Sequence, residues 1–243
     1  MTRNALIGGA LAGLLGALVL TGCGSDSGSD PGTGGMAGVA GTAGTAGTAG
    51  AAGSAGAAGA GSGGQTGSGG SVATSSLEDD LTFLREEEKL ARDVYLTLYD
   101  QWQLMPHKNI ASSEQTHTDR VKDMLASFGF ADPVKDDTVG VFVNTDLAKL
   151  YTDLTQAGKQ SEVESLKVGA TIEDLDIRDI EVMKARTSDA NVLAMYDALQ
   201  CGSRNHLRSF NSQLVSKGAS YSPQYISQAE FDAIVGSANE KCN

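Results

Sequence analysis

No aromatic residue and no histidine occurs before residue 77, whereas 24 of the 31 glycines do. A stretch of that composition has too little apolar area to offset the conformational entropy that folding removes. A hydrophobic core must therefore come from residues 77–243, which hold the single Trp, the six Tyr, the six Phe and the three His. Those residues are enough for one domain of ordinary size. Residues 23–76 read as a flexible tether. The repeat around Gly41-Thr42-Ala43-Gly44-Thr45-Ala46-Gly47 lacks the proline of collagen and never grows into a supersecondary unit. A coil of about 50 residues spans roughly 40 Å.

Ahead of the tether, Arg3 supplies a basic start and Ala5 to Leu20 an apolar run too short and too glycine-rich for a spanning helix. Leu20-Thr21-Gly22-Cys23 resembles the lipobox of bacterial lipoproteins. The resemblance implies a signal peptide at 1–22, acylation of Cys23, and a membrane anchor. Gly24 in place of Asp favours the outer membrane or cell surface over retention at the inner membrane. The formal net charge of −12 argues against nucleic acid as a partner.

Beyond residue 76, apolar residues recur at steps of three and four, the period of a helix face. Ser75 to Glu78 fits a capping box, after which Leu81, Leu84, Glu88, Ala91, Tyr95, Leu98 and Trp102 share a face. Pro106 should end this first helix and leave His107 in a surface loop. A second helix should start near Asn109, with Ile110, Glu114, His117, Val121, Met124 and Phe128 inward, and stop at Gly129 and Asp132-Pro133. A short helix follows a cap at Asn144 and ends at Gly158. Ser161 and Glu164 cap a third long helix carrying Leu166, Ala170, Glu173, Asp176, Ile177, Ile180 and Met183. The fourth, from near Ser188, carries Val192, Tyr196, Leu199, Ser203, His206, Phe210 and Leu214, and a last short helix follows Ser227. Val139 to Val143 is the one β-like run and is too short to argue for a sheet. The expected fold is all-α: a four-helix bundle in which two hairpins are joined by one long crossover at about 129–160, the ferritin-like arrangement.

The informative residues are the ionisable ones on those apolar stripes: Glu88, Glu114, His117, Glu173, Asp176 and His206. A lone carboxylate in such a place costs several kcal/mol unless it is paired, protonated or bound to a metal. A metal pair would neutralise the acids and accept the imidazoles, with iron or manganese the ions expected. A small rotation of the first helix would exchange Glu88 for Glu87.

Here the residues resemble a known group. Glu88-Lys89-Leu90-Ala91-Arg92-Asp93-Val94-Tyr95 is similar to the first ligand helix of ferritin-like di-iron proteins, and Glu114-Gln115-Thr116-His117 matches their Glu-x-x-His. Glu173 falls where their third helix supplies a Glu. From Glu86 to Phe210 the chain resembles the family known as domain of unknown function 2202. The stretches that carry this are Glu86 to Asp93, Ser113 to His117, Val168 to Glu173 and Gly202 to Arg208. The resemblance implies a di-iron, or iron/manganese, site with oxidase or peroxidase chemistry. One departure from the ferritin-like di-iron proteins matters: where their fourth helix supplies a second Glu-x-x-His, this chain has Ser203-Arg204-Asn205-His206, and Asp176 could take the place of the missing Glu. That departure keeps two other readings open, a metal-scavenging module without turnover and a structural bundle with a degenerate site. Tyr95 suits packing or a hydrogen bond to the site better than a redox part. Arg204 and Arg208 either support the acids or face solvent.

Cys201 and Cys242 remain after lipidation. An exported compartment permits a disulfide between them, and two free thiols fit equally. The lack of a Cys-x-x-Cys pair excludes a zinc ribbon or thioredoxin-like motif. The expected partners are the membrane through Cys23 and metal ions, with a homodimer left open.

Overall fold

The computed structural model describes residues 75–242. The signal peptide expected at 1–22, the lipidated Cys23 and all but the last two residues of the tether lie outside the described residues. Within them the chain forms six helices and no strand, the all-α class expected: α1 Leu77–Trp102, α2 Met105–Ser127, α3 Thr145–Gly158, α4 Glu162–Lys184, α5 Ala190–Ser216 and α6 Gln228–Val235. None of the described helices is long and apolar enough to cross a membrane.

The helix ends follow local chemistry. Ser76 and Asp79 form the capping box of α1, one residue beyond the pair expected at Ser75 and Glu78, while Ser75 donates to Asp80. Gln103, in the left-handed region at φ 55°, closes α1 three residues before Pro106. Pro106 therefore does not end the first helix. It sits in the first turn of α2, where the missing N–H costs nothing. The second helix thus begins at Met105 rather than near Asn109, and its extra turn carries His107 to full burial. The surface loop expected for His107 is corrected on this ground. Asn144, Ser161, Asp189 and Ser227 cap the four later helices by accepting backbone N–H groups.

The short α1–α2 and α4–α5 connections make two helical hairpins, and their packing is the most extensive in the molecule. α1 also packs on α4 and α2 on α5, while α3 lies against α1 and α4. Leu81, Leu84, Leu98, Ile177, Leu199 and Phe210 are fully or almost fully buried between them.

The long connection from Phe128 to Asn144 is held down by buried charge on α1. Asp93 accepts from Lys89 at 2.5 Å, from Arg92 at 2.9 Å and from the Gly140 backbone at 2.9 Å. Glu86 accepts the N–H groups of Val143 and Asn144, and Lys89 donates to the Thr138 carbonyl. The β-like run Val139 to Val143 is irregular for this reason: its backbone bonds to helix side chains rather than to a neighbouring strand.

Candidate metal centre

Each inner helix contributes a side chain to one buried cluster. α1 brings Glu88, α2 Glu114 and His117, α4 Glu173, and α5 His206, all from positions on the apolar stripes. They form two groups whose ligand atoms lie within 4.8 Å of one another: Glu88 with Glu114 and His117, and Glu114 with Glu173 and His206. Glu114 is common to both. Its Oε2 lies 2.8 Å from His117 Nδ1, and its Oε1 lies 2.7 Å from His206 Nδ1. Glu88 Oε2 is 3.3 Å from His117 Nδ1, and Glu173 Oε2 is 3.4 Å from His206 Nδ1.

Several of these atoms make no hydrogen bond although they are buried: Glu88 Oε1, both oxygens of Glu114, Glu173 Oε2 and His206 Nδ1. The imidazole nitrogen and carboxylate oxygen nearest each other are close without being aligned as donor and acceptor. Buried polar atoms are nearly always bonded in proteins, so this concentration is unusual. A carboxylate-and-imidazole donor set with spare lone pairs fits iron, manganese or zinc.

Electrostatics describes the same crowding. Burial raises the Glu88 carboxyl to about 7, with His117 working against the rise. Burial would raise Glu114 as well, but the charges of His117 and His206 overcome it and leave the group below the usual carboxylate range. Burial disfavours a charged His206, yet Glu114 and Glu173 bring it up to about 10. Burial raises Glu173. Asp176 is pushed well above its ordinary value by burial, then by Glu88, Glu87, Glu173 and Glu114.

Asp176 is thus buried beside the cluster, with both oxygens lacking a hydrogen bond, but it belongs to neither group. Ser203 takes the place of the second α5 acid and donates to the Leu199 carbonyl. The shared Glu114, not an α5 carboxylate, spans the two imidazoles. Gly202 makes room for this. A Cβ there would stand 2.6 Å from both Cε1 and Nε2 of His117. Gly169 does likewise for Phe210, whose ring packs 5.3 Å from that of Tyr95. The Tyr95 hydroxyl donates to Glu173 Oε1 at 2.5 Å and so fixes that carboxylate.

Two side chains behave otherwise than the sequence suggested. Arg204 and Arg208 support no acid of the cluster; both bind Glu240. Asn205 holds the backbone of Glu240 from both sides, and Cys201 is bonded to Cys242. The stretch around His206 therefore fastens the C-terminal segment along α5. The sequence reading also missed the Lys89–Asp93 pair and Asp174. The latter accepts from Tyr221 and three backbone N–H groups at Gln224 to Ile226. The i,i+4 spacing of Lys89 and Asp93 was a readable signal for their pairing, whereas the partners of Asp174 lie in an irregular segment that nothing local named.

The model of a family described as "Uncharacterized protein domain (DUF2202)" matches residues 78–238. The chain is 51% identical over 164 residues to the uncharacterized protein MJ0754 of Methanocaldococcus jannaschii, covering 68% of this chain and 89% of that one. A crystal structure of hypothetical protein MJ0754 superposes with a TM-score of 0.67 at 51% identity, over 67% of this chain and 93% of the other.

Proposed function

This chain belongs to the DUF2202 family, and we propose that its helical domain is a ferritin-like four-helix bundle holding two metal ions, iron before manganese. The carrying observation is Glu114, whose two buried oxygens face different imidazoles and have no hydrogen bond. In this reading Glu88 and His117 hold one ion, Glu173 and His206 the other, and Glu114 both. Asp176 is a reserve carboxylate beside them. Bound iron or manganese would supply electron-transfer chemistry toward oxygen or peroxide. The chain's own part is to keep the acids dry, to fix Glu173 through the Tyr95 hydroxyl, and to hold each imidazole by its neighbours.

The lipobox-like Leu20 to Cys23 supports export and anchoring through an acylated Cys23 at the outer membrane or cell surface. A second reading, metal binding without turnover, draws on Ser203, which leaves the α5 side without a carboxylate.

Anaerobic reconstitution with ferrous or manganous ion tests the proposal. About two ions per chain are expected in the parent protein and close to none in Glu114→Ala. Fewer than about a tenth of an ion per parent chain would refute it. Stoichiometric metal with no consumption of peroxide or oxygen would favour the second reading.

A further inference from the structure

Between α2, α5 and the C-terminal segment lies a cleft of about 310 Å³, lined by His117, His206 and Ser113 and bordered by Arg120, Glu240 and Cys242. Both imidazoles turn Nδ1 toward the carboxylates, so their Nε2 edges are on the other side of the rings. His206 Nε2 meets Ser113 Oγ at 3.0 Å. His117 Nε2 has no hydrogen-bond partner among the described residues, although the ring is almost wholly buried. Arg120, one turn along α2 from His117, likewise has no ion pair or hydrogen bond there. The carboxylate on the lining, Glu240, is taken up by Arg204 and Arg208. The cleft thus presents an unpartnered imidazole nitrogen and a guanidinium, and the carboxylate on its lining is already paired. Its volume is about ten times a water's share of the liquid, enough for an anion with a small substituent.

We infer that this cleft is a binding site for a small oxyanion, a phosphate or a short carboxylate, which accepts from His117 Nε2 and from the Arg120 guanidinium. Charge-assisted bonds of that kind are the stronger class. The site does not require the ions proposed above, and its test is made on metal-free protein, so the two readings can fail separately.

The full chain has three histidines, which keeps its imidazole nitrogen spectrum assignable by NMR. Metal-free protein is titrated with inorganic phosphate and, separately, with acetate at fixed pH and ionic strength. A saturable displacement of the His117 Nε2 resonance is expected, with the buried His107 unmoved. Arg120→Ala, a change at an exposed position, should weaken the apparent affinity by about tenfold. Saturation with phosphate alone assigns phosphate compounds as the ligand class, and saturation with acetate alone assigns carboxylates. A drift that never saturates, an equal response at His107, or an undiminished response in Arg120→Ala overturns the inference.

Discussion

Glu88 and Lys89 are neighbours on α1, and both are fully buried, yet the chain treats their charges in opposite ways. Lys89 is fully compensated: Asp93 and the Thr138 carbonyl accept its hydrogen bonds, Phe142 covers it at 4.6 Å, and Arg92 shares Asp93. Around Glu88, one oxygen meets His117 Nδ1 at 3.3 Å, but its other oxygen and both oxygens of Glu114 have no hydrogen bond to satisfy them. Burial alone therefore does not mark a functional charge. The mark is burial combined with unspent lone pairs, and the Lys89–Asp93 pair, equally buried but fully bonded, shows the difference.

The largest expected effect separates these two kinds of charge directly. Asp93→Ala strands a buried ammonium and should cost about 3–5 kcal/mol in urea unfolding. Asp176→Asn in metal-free protein should be neutral or stabilising, because burial pushes that carboxyl strongly toward its uncharged form. If both changes cost the same, the contrast fails.

His107 gives a second, pH-dependent case. Burial lowers its imidazole from 6.5 to about 4. Between those values the unfolded chain binds a proton that the native state refuses. Stability should therefore fall as pH drops through that window, by up to about 3 kcal/mol. His107→Gln should flatten that part of the curve, and an unchanged slope would place the titration elsewhere.

Metal addition sharpens the comparison further. At a hundredfold excess over the dissociation constant, a ligand of the native state stabilises by about 2.7 kcal/mol. The parent protein and Asp93→Asn should both show the rise in Tm, from different starting points. Glu114→Gln should not.

The smallest effect concerns Glu240, compensated like Asp93 but partly open to water. Hydrogen bonds from Arg204, and from Arg208, lower its carboxyl from 4.5 to about 2. Its contribution is present above about 4.5 and disappears as pH falls through the folded value. The Tm gap between parent and Glu240→Gln should therefore close on acidification. A gap that widens would reverse the assignment.

The helix count, the hairpin order and the buried acids and imidazoles were legible in sequence because each depends on a local period or cap. Pro106 was misread because a proline can close one helix or open the next, and only the left-handed Gln103 before it settles which. His107 followed that error into solvent. The i,i+4 pairing of Lys89 with Asp93 was open to a sequence reading, but the hold of that pair on the crossover and the roles of Arg204 and Arg208 were not legible, since those partners lie in irregular segments that no period announces. The cysteine pair also stayed open at the sequence level, because whether two distant sulfurs meet depends on how the C-terminal segment runs along α5.

Gly202 carries a warning for anyone who sets out to toughen this domain. Exchanging helix glycines for alanine is a standard route to thermostable variants, gaining up to about 1 kcal/mol at each suitable position. Here the added methyl group would land on the His117 ring. A heat-resistance screen run without an assay for the pocket could therefore select against the very feature that distinguishes this helix from an inert one.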